Sequence, residues 1–150
     1  MKEYLILENK FEHNKITRSV LFEKTDVFLS YIPLTDFRGW VYPLPNEKSI
    51  IDCITNLNET IIMGEFGQVV NSAEITFDNV SHTIEKLIFK NNVIYGIVKI
   101  LDNHKGKILQ RAYENNKIYF HMRALGNVEG EETVLQQIIT WDAYINVEIK

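Results

Sequence analysis

The chain has 150 residues, 45% hydrophobic and 24% charged, which is one domain's worth of sequence with enough apolar material for a core. Seven Gly and three Pro are too few for a linker-rich or disordered chain, and sixteen basic against twenty acidic residues (formal charge -4) exclude a global pull toward nucleic acid. One cysteine, Cys53, excludes an intrachain disulfide and a thiolate metal cluster within one chain, and no apolar run is long enough to cross a bilayer.

In chain order, Met1–Glu8 reads as a strand rather than a secretion signal, because no basic segment precedes an apolar core. Tyr4–Leu7 and Val27–Ile32 are β-branched and aromatic enough for strands. Pro33, Gly39, Pro43 and Pro45 then mark a loop carrying Phe37, Trp40 and Tyr42. Aromatics in such a loop either fold back as a lid on the core or form an intersubunit patch.

Ile50, Cys53, Ile54 and Leu57 recur at helical spacing within Ser49–Leu57, with Asn46 or Ser49 available as the cap. The isoleucines around Cys53 mark its thiol as buried. A strand Thr60–Met63 follows, and Gly64 and Gly67 predict a bend or bulge after it. Thr83–Phe89 and Val93–Leu101 flank Lys90-Asn91-Asn92 and predict an antiparallel hairpin. Its second strand is apolar on both faces and is therefore central. After Gly106, the spacing of Ile108, Leu109, Ala112 and Tyr113 predicts a short helix ending at Asn115-Asn116. Ile118–Met122 is a further strand, and Thr133–Trp141 with Ala143–Ile149 supply the last one or two, Asp142 lying at the bend between them. The expected fold is a single domain over residues 1–150, mainly β with short helices. About seven antiparallel strands would remove their edges by forming a closed or nearly closed barrel.

Most chemical motifs are missing. There is no Gly-rich phosphate loop, and His13, His82, His104 and His121 show no metal-ligand spacing, so neither a cofactor nor a metal is expected. Asp52 with Glu59, and Glu129 with Glu131 and Glu132, read as solvated carboxylates, and Asn103–Lys107 reads as a solvated turn. His82 sits at a strand entrance, where rigid backbone can position an imidazole for proton transfer near neutrality. His121 and Met122 lead into Arg123-Ala124-Leu125-Gly126, a corner able to present Arg123 and backbone N–H groups to an oxyanion, or simply a strand end bending at glycine. Asp142, among apolar neighbours, needs a partner: a histidine, an arginine or a pair of backbone amides.

Four blocks in this order resemble the prohead core protease family of tailed bacteriophages, which shares its barrel with the herpesvirus assembly proteases. Met63-Gly64-Glu65-Phe66-Gly67-Gln68 resembles the family's Gly-Glu-Leu-Gly-His block, and Asn79-Val80-Ser81-His82 its Val-Ser-His block. Tyr95-Gly96 through Leu101, with Gly106-Lys107, resembles its strand and the glycine turn before a helix. Phe120–Gly126 resembles its Val-Ser-Ser-Arg-Gly-Leu-Gly block, and Asp142 falls where the family has an aspartate. The resemblance covers Ile61 to Val147 and implies His82 as base, Asp142 as acid and His121, Met122, Arg123 and Gly126 as the nucleophile and oxyanion block.

His121-Met122 stands where the family has Ser-Ser, and neither side chain replaces a serine hydroxyl in acyl transfer. Gln68 replaces a histidine. The resemblance therefore implies a catalytically inactive relative that binds phage capsid or scaffold proteins, or itself as a homo-oligomer. Neither nucleic acid nor a membrane is an expected partner, and the location is the virion or prohead in the cytoplasm of the infected bacterial cell. The alternative is an active maturation endopeptidase that uses His82 as base and another nucleophile. Ser72 is a candidate hydroxyl, whereas Ser81, next to His82, is a poor one because neighbours in a strand point to opposite faces.

Overall fold

A computed structural model describes residues 5–6, 14–16, 31–40, 42–67, 72–115 and 118–145. Among them are eight strands: β1 (Leu5–Ile6), β2 (Asn14–Ile16), β3 (Ile32–Asp36), β4 (Ile62–Glu65), β5 (Val80–Lys90), β6 (Val93–Ile100), β7 (Ile118–Glu129) and β8 (Glu132–Ile145). Two α-helices, α1 (Glu47–Asn58) and α2 (His104–Asn115), and two short 3-10 turns, Phe37–Gly39 and Phe77–Asn79, complete the described elements. None of the described helices is long and apolar enough to cross a membrane. The expected strand Val27–Ile32 lies outside the described residues up to Ser30, and its last residue begins β3.

The strands form two four-stranded sheets. In one, β7 is central, with β8 along one edge and both β1 and β2 along the other. The second has the order β3-β6-β5-β4, with neighbours antiparallel, so the central place expected for β6 is the observed one. Their apolar faces meet, placing Leu34, Ile84, Ile94 and Val98 in one core with Phe120, Ile138 and Trp141.

The sheets do not close into the expected barrel. Where β4 approaches β8, a parallel bridge pairs Phe66 with Ala143, reinforced by Gly67 N–H donating to the Ala143 carbonyl at 3.1 Å. Beyond it the Met63 carbonyl accepts from the Thr140 hydroxyl at 2.8 Å, so a side chain takes the place of a ladder amide. Helix α1 packs against β5 and β8. The two sheets are thus joined by side chains and a helix rather than by a continuous ladder.

Helix α1 is built as its spacing predicts. Asn46 is the cap, its carboxamide oxygen accepting from Ser49 N–H at 2.8 Å, and Ile50, Cys53, Ile54 and Leu57 are buried. Each such aliphatic side chain contributes about 1.5–3 kcal/mol relative to exposure. Burial also pushes the Cys53 thiol pKa up, which suits an inert core sulfur.

At the other end of α1, Asn58 does a strand's work. Glu85 pairs with Ile97 and Ile88 with Tyr95, leaving Lys86 and Leu87 bulged opposite Gly96, with Lys86 at φ 57°. The Asn58 carboxamide accepts from Leu87 N–H at 2.8 Å and donates to the Leu87 carbonyl at 3.0 Å, satisfying both backbone groups. Replacing Asn58 with Ala strands this pair and is expected to cost about 2 kcal/mol, read as a lower urea midpoint at unchanged slope.

The β5–β6 hairpin turns on Asn91 and Asn92, both at positive φ (53° and 65°), the primed geometry that matches strand twist. Pro33 lies inside β3 rather than in a loop, which an edge strand tolerates because proline's missing N–H faces away from the ladder. Phe37 is buried, and Trp40 and Tyr42 pack against the core, so the aromatic loop folds back on it. Helix α2 begins at His104, so Gly106 lies within its first turn rather than before it. Asn103 caps that turn, accepting from Gly106 N–H at 2.7 Å and tying the helix to β5 by donating to the Val80 carbonyl.

Candidate functional site

Four strands converge on the residues expected to carry chemistry. The β7–β8 register sets His121 opposite Asp142, Met122 opposite Trp141 and Arg123 opposite Thr140. In the other sheet, β4 and β5 set Gly64 opposite His82. Asp142 lies within the continuous strand β8, not at a bend. Strand β7 continues through Gly126 to Glu129, its pairing with β8 shifting register between Arg123 and Ala124 and between Leu125 and Gly126, so the strand does not end in the expected Arg123–Gly126 corner. Gly126 instead pairs with Leu135 and Leu5, away from Arg123's partners.

Arg123 is fully buried, and each of its five N–H donors has an acceptor. Nε donates to Asp142 Oδ2 at 2.8 Å, and Nη2 donates to Asp142 Oδ1 at 2.9 Å and to Glu65 Oε2 at 2.8 Å. Nη1 donates to the carbonyls of Ser72 at 3.1 Å and Glu74 at 2.8 Å. Glu65 N–H completes the cluster on Asp142 Oδ1 at 3.0 Å. Of the partners left open for Asp142, the structure thus supplies an arginine and a backbone amide. Burial nevertheless pushes the Asp142 pKa up against the opposing pull of Arg123, as two carboxylates share one cation.

Glu65 is the member that sequence reasoning missed. Its signal was a carboxylate at the end of a short apolar strand, Ile61–Met63 then Gly64-Glu65-Phe66-Gly67, where burial demands a cation.

His82 is also fully buried, but on other partners. Nε2 is 2.8 Å from the Trp141 carbonyl, which only accepts, so Nε2 carries the proton. Nδ1 is then the acceptor for the Ser81 hydroxyl at 2.7 Å. The ring stands edge-on to Phe120, with centroids 5.3 Å apart. Strand alternation explains why His82 and Asp142 do not pair. Phe120, Met122 and Trp141 belong to the core face, while His121, Arg123 and Asp142 alternate with them and take the other. The β8 backbone lies between imidazole and carboxylate.

The Ser81–His82 contact corrects the expectation that strand neighbours point apart. Glu65 pairs with Val80 and Gly64 with His82, so Ser81 is the extra residue of a β-bulge, free of strict alternation. Ser72, a candidate hydroxyl that nothing in the sequence supported, accepts from Glu74 N–H at 3.1 Å and lends its carbonyl to Arg123.

Burial lowers the His82 pKa from 6.5 to about 4, so the imidazole is neutral at pH 7. Because the folded value lies below the unfolded one, this contribution to stability is complete above pH 6.5. It is lost as pH falls toward 4, with a total of about 3 kcal/mol. The expected result is a fall in unfolding free energy across that window. His82→Gln, which keeps a donor near the Trp141 carbonyl but does not titrate, should flatten it.

No protein-family model matches the sequence, and no curated protein matches it. Among solved structures, the chain is similar to the capsid assembly protease of bacteriophage T4, gp21, with a TM-score of 0.71 and 14% sequence identity. The alignment covers 97% of this chain and 100% of that one. At this identity the likeness establishes the fold, that of a phage capsid assembly protease.

Proposed function

We propose that this chain acts in the assembly of a tailed-phage capsid as a protein-binding component, and that it does not cleave peptide bonds through His82. One observation carries this reading: His82 and Asp142 are both buried and each is committed to other partners on opposite sides of β8. A general base must reach the proton it removes and hold a pKa near the working pH. An imidazole with a pKa of about 4 fails the second condition, and the one hydroxyl bonded to its Nδ1, that of Ser81, is as fully buried as the ring. The block expected to hold the nucleophile presents His121 and Met122, both buried. Phage capsid or scaffold proteins are the partners this reading assigns, and the prohead is the place.

The second reading rests on the Ser81 hydroxyl 2.7 Å from His82 Nδ1. In it, Ser81 Oγ attacks the peptide carbonyl, Nδ1 takes its proton, and the Trp141 carbonyl orients the ring as a carboxylate does elsewhere. It requires the pair to become accessible.

One mixture separates the two. The purified chain is incubated with the scaffold and capsid proteins of its own phage, and products are read by intact-mass spectrometry alongside Ser81→Ala and His82→Gln. Stable association without cleavage is the expected outcome. Discrete fragments that disappear in Ser81→Ala would establish the second reading instead. Neither fragments nor association would overturn both.

A further inference from the structure

The donors of Arg123 serve two kinds of partner. Nε and Nη2 hold carboxylates from β8 and β4, whereas Nη1 holds only main-chain carbonyls from the segment Ser72–Asn79 that leads into β5. Arg123 has no exposed surface, yet Ala73, Glu74, Thr76 and Asp78 of this segment are exposed, as is Phe77 at 72%. The segment is therefore a single layer of chain with solvent outside and a buried cation beneath.

We infer that Ser72–Asn79 is a strap latched by Arg123, which opens as a local unit while both sheets stay folded. Among the described residues its attachments are few. Arg123 Nη1 holds Ser72 and Glu74, Phe66 N–H donates to the Asn79 carbonyl at 3.0 Å, and Val80 N–H of β5 donates to the Phe77 carbonyl. The bonds from Glu74 N–H to Ser72 Oγ and from Asn79 N–H to the Thr76 carbonyl are internal and survive opening. None of residues 72–79 belongs to the hydrophobic core, so little apolar surface is uncovered when the strap lifts. Segments with few buried apolar contacts open well below the free energy of global unfolding. Opening hydrates the guanidinium and leaves its bonds to Glu65 and Asp142 in place.

The wild-type chain provides the first test, by hydrogen exchange with mass spectrometry and by phenylglyoxal labelling of arginines mapped to peptides. The amide that reports opening is Phe66 N–H, resolved to the single residue, because its acceptor is the Asn79 carbonyl of the strap. It should exchange at least about 100-fold faster than the ladder amides of β5 and β7, at a rate insensitive to sub-denaturing urea. Arg123 should be labelled more slowly than exposed Arg38 and Arg111, at a rate following Phe66 exchange. Labelling of Arg123 only where urea unfolds the sheets, or a Phe66 amide that exchanges together with β5 and β7, overturns the inference. Arg123→Lys, which keeps the charge on one nitrogen and gives up the forked donors, tests the latch itself. Phe66 exchange should rise at least about tenfold in the folded variant, and an unchanged rate there overturns the latch. If that variant does not fold, the wild-type measurements decide alone.

Discussion

Arg123→Met lowers the stability of this chain by about 3–5 kcal/mol, the range for removing one member of a buried charge cluster. Methionine fills much of the volume of the arginine stem, so the loss is not one of packing. What disappears is the cation between Glu65 and Asp142, together with the donors to the Ser72 and Glu74 carbonyls. Two carboxylates then face each other with no counter-charge, and two carbonyls are left unpaired. Urea unfolding at pH 7 measures the loss. The difference from wild type should shrink at low pH, since a carboxylate beside a like charge takes up its proton early and relieves the repulsion. Adding Asp142→Asn to Arg123→Met should recover part of the loss, so the double variant is more stable than the sum of the singles. A loss below about 1 kcal/mol would mean that water reaches the cluster and screens it.

Gly64→Ala is the second large effect, from a single methyl group. A Cβ there would lie 2.0 Å from His82 Nε2 and 2.4 Å from the Trp141 carbonyl oxygen. It would occupy the hydrogen bond that joins β5 to β8, and one of its neighbours is backbone. Overpacking and the lost buried bond together cost about 4 kcal/mol. Gly67→Ala is the internal comparison. Gly67 has φ 137° and open space around the absent Cβ, so only backbone strain opposes the change, about 1–2 kcal/mol. Denaturation midpoints of the two variants test the ranking, and equal losses would sink the steric account. Gly64→Ala should also shift the His82 Cε1 proton resonance, because its ring must turn.

Much of the local structure was legible because local rules govern it. The spacing of Ile50, Cys53, Ile54 and Leu57 set the buried face of α1, and Asn46 was a readable cap. Asn91-Asn92 announced the tight turn between β5 and β6. The apolar character of Val93–Ile100 on both faces gave β6 its central place. Element ends were less legible. Pro33 and Gly126 each looked like a break, yet an edge position and a long hairpin carry the strand through both.

Three buried polar residues of the cluster, Arg123, Asp142 and His82, were legible in the sequence, whereas Glu65 and the choice of partners were not. Arg123, Asp142 and His82 do meet the same four strands, but the carboxylate goes to arginine and the imidazole to a backbone carbonyl. Reading Asp142 at a bend hid this, because a bend would have freed it from alternation. Ser81 erred in the opposite direction, since a bulge that only the pairing with Gly64 and Glu65 reveals brings it onto the imidazole.

The sequence by itself determined a mainly β chain with two amphipathic helices, and it located the polar residues that an apolar interior would have to satisfy. Periodicity, capping and turn chemistry act over a few residues, and those are written in the order of the side chains. Only the tertiary structure decided that the sheets stack without closing, that Glu65 joins Asp142 on Arg123, and that His82 lies across the β8 backbone from both. These depend on register and on which faces are apposed. Register follows from burying the whole set of apolar faces at once, and no segment of the chain specifies it alone.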